Sequence, residues 1–209
     1  MPRRATVIAF VLTAALLASC RGSKSDDNGA ATTTSTMNTS TTVAVSIEAA
    51  ALETILLNDL PDGYIQEPDD VGDTGPSDLA KAVRDDGNDD AETVLTANGF
   101  VAAYQRLWTK GDGAVVDFVT EFKTPAGAQA YFKRLVAAAS ETDETTTVTE
   151  FAVTGIPGAK GYAGHSADGD SVVVVFSRGT YALQIVVNGL DANPALANSL
   201  ATQQYNLAA

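Results

Sequence analysis

The chain has 209 residues, one cysteine, one histidine and a net charge of −13. Its 26 Asp and Glu against 13 Lys and Arg exclude nucleic acid as a partner, because phosphate binding needs a basic face. One cysteine and one histidine exclude a tetrahedral zinc site, and a lone thiol excludes an internal disulfide.

Arg3 and Arg4 precede an apolar run of 14 residues, Ala5 to Ala18, broken only by Thr6 and Thr13. As a helix this run spans roughly 21 Å at ~1.5 Å per residue, short of the ~30 Å hydrocarbon core of a bilayer. Its length and flanks are those of a secretory leader and not of a permanent span. The run closes on Leu17-Ala18-Ser19-Cys20, which resembles the lipobox of bacterial lipoproteins. That resemblance implies a diacylglycerol on the Cys20 sulfur, cleavage just before it, and an extracytoplasmic chain anchored to the cell membrane by lipid. Two acyl chains suffice for stable anchoring, at ~0.8 kcal/mol per buried methylene. The alternative is an ordinary secretory leader that contains a cysteine. Losing residues 1–19 removes Arg3 and Arg4 and no acid, so the mature chain carries about −15, with 11 basic residues against 26 acidic. Such a charge also keeps it off anionic lipid surfaces.

Residues 21–46 are polar and rich in Ser and Thr, and cannot bury enough apolar surface to offset the entropy of ordering. As a flexible coil they reach roughly 28 Å. The expected organisation is a lipoprotein signal peptide (1–19), a lipidated Cys20 with a disordered tether (20–46), and one α+β domain (47–209).

Within that domain Ala49, Leu52, Ile55 and Leu56 follow helical spacing after Ser46. Leu60-Pro61-Asp62-Gly63-Tyr64 reads as a turn, and Gly72, Asp73, Gly75 and Pro76 keep the next stretch irregular. Ser77 caps a short helix through Val83, and Asp89 or Asp90 caps another that ends at Asn98-Gly99. Residues 100–109 and 114–123 form a hairpin about Lys110-Gly111-Asp112-Gly113. In its first arm Phe100, Ala102, Tyr104, Arg106 and Trp108 face one way, and Val101, Ala103, Gln105 and Leu107 the other. In its second arm Val116, Phe118, Thr120 and Phe122 alternate with Val115, Asp117, Val119 and Glu121. Thr124-Pro125 starts a helix with Pro at its first position and an apolar stripe of Ala128, Tyr131, Phe132, Leu135 and Val136.

Strands are expected at 148–153, 161–165, 171–177 and 180–187, with Pro194 to about Tyr205 as a final helix. The run Val172 to Phe176 holds no polar residue, which calls for cover on both faces. Tight turns imply antiparallel pairing. The expected fold class is α+β: a mostly antiparallel sheet with helices packed on one side, a two-layer sandwich.

Three turn and cap signatures, Leu60-Pro61-Asp62-Gly63-Tyr64, Gly99-Phe100-Val101 and Phe122-Lys123-Thr124-Pro125-Ala126-Gly127-Ala128, resemble those of small secreted or lipid-anchored proteins of high-GC Gram-positive bacteria. The pattern is similar to PsbP-like domains and to the extracellular sensor domains of some receptor kinases. It implies a fold and carries over no binding residue.

Several constellations invite chemistry. Gly164-His165-Ser166-Ala167-Asp168 is one residue from a Gly-x-Ser-x-Gly nucleophile elbow, but its context is strand-turn-strand and His165 is adjacent in sequence. Asp117 and Glu121 share a strand face as a carboxylate pair, set against the plainer reading of a solvated face. The stretch Asp85 to Glu92 lacks the Gly and the final acid of an EF-hand loop. A looser calcium site at Asp86, Asn88 and Asp90 is set against a solvated loop between capped helices. Residues 48–98 hold 14 acids against Lys81 and Arg84. Phe100, Tyr104 and Trp108 border an open groove if helices cover only the other face of the sheet.

The resulting expectation is a cell-envelope lipoprotein with a non-enzymatic binding or sensor-like domain, whose partner is an envelope protein or a small apolar ligand. No catalytic residue and no cofactor are expected. A carboxylate- or serine-dependent hydrolase and a structural envelope protein are the alternatives.

Overall fold

The computed structural model describes residues 47–209 except 62, 70, 72, 73 and 190. The leader, Cys20 and the Ser/Thr-rich segment lie outside the described residues. The elements run α1 (Ile47–Leu52), a 3₁₀ turn (Glu53–Ile55), β1 (Ile65–Gln66), β2 (Gly75–Ser77), α2 (Leu79–Asp86), α3 (Ala91–Ala97), β3 (Phe100–Lys110), β4 (Gly113–Phe122), α4 (Pro125–Ala139), β5 (Thr147–Phe151), β6 (Lys160–Ser166), β7 (Gly169–Arg178), β8 (Tyr181–Asn188) and α5 (Pro194–Leu207).

All strands join one antiparallel sheet in the order β1-β3-β4-β8-β7-β6-β5, with β2 also on the outer edge of β3. Gly111, at φ +56, turns the β3–β4 hairpin in two residues, as the Gly-Asp chemistry requires. Strand β8 returns beside β4 and joins the early hairpin to the later strands. The stretch expected to be irregular contributes β2, whose Pro76 is tolerated because the strand lies at an edge.

Among the described residues three helix starts carry a side-chain cap, whereas Asp90 stands at the N-cap of α3 without a capping hydrogen bond and pairs with Arg134 instead. The Thr124 hydroxyl accepts the Gly127 N–H (3.1 Å) at the head of α4, and Asn193 accepts the Leu196 N–H (2.8 Å) at the head of α5. The α2 cap is Asp78, whose carboxylate accepts the Lys81 N–H (2.8 Å); Ser77 belongs to β2. No helix among the described residues is long and apolar enough to cross a membrane.

The α+β class and the antiparallel sheet are as expected. The helices, however, are shared between both sheet faces. On one face Tyr104, Trp108, Val119, Val174, Phe176 and Leu183 pack under α5 and under α1 with its following turn. On the other, Phe122 and Ala182 pack with Ala82, Leu95, Ala128 and Tyr131 of α2, α3 and α4. Strands apolar on both sides need this second cover, and Val174 and Val175, on opposite faces, are both fully buried.

Candidate functional site

Between α4 and the sheet lies a cavity of about 50 Å³. Its floor is one row of the sheet, with Gln105 of β3, Phe118 of β4 and Gln184 of β8 in register. In the next row Ala103, Thr120 and Ala182 are small, and their size leaves the depression. Tyr131, Arg134, Leu135 and Ala138 of α4 form one wall, and the end of α2 with Asn88 forms the other. Gln105 and Gln184 are 6% and 7% exposed, yet neither carboxamide has a hydrogen-bond partner among the described residues. Their amide atoms are not sealed in the protein but open onto the cavity, where they can bond a polar molecule that enters it.

The rim is charged and internally paired. Arg134 donates from Nε to Asp86 Oδ2 (2.8 Å) and from Nη2 to Asp86 Oδ1 and Asp90 Oδ1 (2.6 Å each). The Tyr131 hydroxyl (3.1 Å) and the Asn88 amide (2.8 Å) also donate to Asp86. Burial raises the Asp86 pKa, but the hydrogen bonds from Arg134 and Asn88, with the Arg134 charge, outweigh it and hold the carboxyl below its ordinary value. Lys81 pairs with Asp85 at 2.9 Å, and the Ser77 hydroxyl donates to the same carboxylate (3.3 Å).

The three residues weighed as a looser calcium site, Asp86, Asn88 and Asp90, are engaged with one another and with Arg134. Asp86 and Asp90 converge on the guanidinium of Arg134, which fills with its own charge the place a cation would take, while Asn88 donates its amide to Asp86. Among the described residues no group of three or more His, Cys, Asp or Glu is arranged to hold a metal.

The aromatic expectation is corrected. A β-bulge between Phe100 and Ala102 slips the register, so Phe100 does not share a face with Tyr104 and Trp108. Its ring packs edge-on against Phe122 at 6.4 Å on the α4 side. Tyr104 and Trp108 sit in the opposite core at 5% and 4% exposure and so are packed rather than open along that face. The Tyr104 hydroxyl donates to Asp69, and burial first, then Asp69, raises its pKa.

Asp117 and Glu121 are not a solvated pair. Asp117 is completely buried, and accepts hydrogen bonds from the Leu57 N–H (2.6 Å) and from Gln204 Nε2. Arg106, its register partner on β3, binds Leu57 O (2.8 Å) and Glu53 (3.0 Å). Glu121 is half-buried, and burial, then the Glu48 charge, raises its pKa. At the β6–β7 turn the Ser166 hydroxyl donates to Gly169 O (3.3 Å) and accepts the Asp168 N–H (3.2 Å), while exposed His165 meets Asp170 through Nδ1. These groups close a hairpin, and His165 and Ser166 do not engage each other.

The cavity glutamines were missed as site residues, although the sequence held a signal. Each is a lone carboxamide at a position facing the same way as apolar neighbours: Gln105 with Ala103 and Leu107, Gln184 with Ala182 and Val186. What it lacked was the pairing of strands β4 and β8, which alone brings the two together.

Residues 64–208 match the family described as "Domain of unknown function (DUF7373) N-terminal". No curated protein matches the chain. Its fold is similar to the crystal structure of the extracellular domain of PknH from Mycobacterium tuberculosis, with a TM-score of 0.49 and 15% identity over 76% of this chain and 95% of that one. At that level of likeness nothing about this chain's function follows from it.

Proposed function

The chain belongs to the DUF7373 N-terminal domain family, and from that premise we propose that it is a lipid-anchored envelope protein whose domain binds a small molecule without transforming it. The lipobox-like run ending at Cys20 supports the anchor. The observation that carries the binding role is the pair of carboxamides, Gln105 and Gln184, that face one cavity and have no hydrogen-bond partner among the described residues. Binding is favoured over hydrolysis because Ser166 is spent on its own turn and Asp117 is sealed under Leu57 and Gln204.

Two measurements test this reading. Cells fed a clickable palmitate should yield a labelled, membrane-bound protein, and Cys20→Ser should abolish label and retention together; an unlabelled wild-type protein refutes the anchor. For the domain, a panel of neutral, acidic, basic and apolar small molecules is screened by thermal shift. At least one chemical class should raise the midpoint of the wild type and not of Gln105→Leu/Gln184→Leu. A panel without effect favours the structural, spacer role.

A further inference from the structure

Which molecule the cavity takes follows from what is left unpaired inside it, given the binding role proposed above. Every charge at the rim already has a partner: Arg134 holds Asp86 and Asp90, and Lys81 holds Asp85. A charged ligand would have to break one of these pairs or enter without a counter-ion. The net charge of −13 further disfavours an anion.

The groups without partners are neutral. Each carboxamide offers two donors and one acceptor oxygen, and the half-buried Thr120 hydroxyl beside them makes no hydrogen bond to the described residues. Between the two amides, on the middle strand, stands the ring of Phe118. Neighbouring strands lie about 4.8 Å apart, so the two glutamines rise from backbones roughly 10 Å apart with an aromatic surface between them.

The floor is thus polar, apolar, polar across three neighbouring strands. An apolar ligand would match Phe118 but take water from both carboxamides without replacing its hydrogen bonds. A ring with a C–H face and hydroxyls at its edges satisfies all three positions. The cavity, about 50 Å³, holds roughly four waters, so it encloses the edge of a single ring and leaves the remainder at the mouth. We propose that the cavity between α4 and the sheet binds the edge of one uncharged sugar ring, with its C–H groups toward Phe118 and its hydroxyls toward Gln105 and Gln184. The ring is either a free monosaccharide or the end unit of a longer glycan.

The test uses the full-length protein labelled with ¹⁵N-glutamine and kept in a detergent without a sugar headgroup. Side-chain amide signals of Gln105 and Gln184 are assigned by Gln105→Leu and Gln184→Leu. The probes are methyl glucoside, methyl mannoside, methyl galactoside and maltotriose, with glucuronate, glucosamine and cyclohexylmethanol as charged and apolar rings. At least one neutral sugar should move both amide signals together and saturate, with affinity falling about tenfold in each variant. Equal affinity of glycoside and trisaccharide identifies the free ring; tighter trisaccharide binding identifies the chain end. Saturation by a charged or apolar ring, with the neutral sugars silent, overturns the sugar assignment and leaves a binding domain. Silence from the whole panel overturns both. If a leucine variant loses its folded spectrum, Gln184→Asn, which shortens the reach and keeps the amide, replaces it.

Discussion

Asp117 is a carboxylate wholly removed from water, and that burial pushes its pKa up to about 7 against the opposing pull of the Leu57 N–H, the Arg106 charge and the Gln204 amide. The unfolded chain has the ordinary value of 3.8. A folded pKa above the unfolded one gives stability that is complete below pH 3.8 and is lost as pH rises to about 7. At ~1.4 kcal/mol per unit the loss is on the order of 4 kcal/mol. The difference in unfolding free energy between wild type and Asp117→Asn should therefore shrink between those limits, read by urea titration of the single, buried Trp108. A difference that stays flat with pH would refute the assignment. Asp86 has the opposite sign. Its depressed pKa gives stability above pH 3.8 that is lost as pH falls through the folded value. Arg134→Ala should remove this acid-side dependence and cost about 3 kcal/mol at neutral pH, because Asp86 is left buried and unpaired. Arg134→Lys should recover only part, since an ammonium cannot span both carboxylate oxygens. Neither sign was legible in the sequence, where Asp86 and Asp117 are acids like many others, because their partners lie 48 and 60 residues away.

At the scale of elements the local signals were well placed. Thr124-Pro125 opens α4 and the Gly-Asp turn closes the hairpin, because capping and turn chemistry act within a few residues. Contacts between elements were not legible. Gly127 sits in the first turn of α4, where a Cβ would lie 2.1 Å from the Asn98 carbonyl at the end of α3. Gly127→Ala should therefore push α4 off α3 and lower stability by roughly 1–3 kcal/mol, measured as a fall in the thermal midpoint. The bulge at the head of β3 belongs to the same class. Strict alternation placed Phe100 with Tyr104 and Trp108, and one slipped residue sent it to the other side of the sheet.

At the scale of the molecule, the family match begins at residue 64, yet the core begins earlier. Leu52, Ile55, Leu56, Leu57 and Leu60 are all buried against the sheet, and the Leu57 N–H holds Asp117. Burying such side chains is worth about 1.5–3 kcal/mol each, together on the order of the ~5–15 kcal/mol by which a domain is stable. A chain shortened to residues 64–209 should lose its cooperative thermal transition, whereas one beginning at 47 should keep it. The sequence by itself determined the acidic surface, the leader-like start and the positions of most helices and strands, since these depend on composition and on neighbours along the chain. Only the tertiary structure decided which acids are neutralised, which aromatics are buried and which two amides line one cavity. Burial and pairing join residues from separate strands and helices, and no spacing along the chain records that distance.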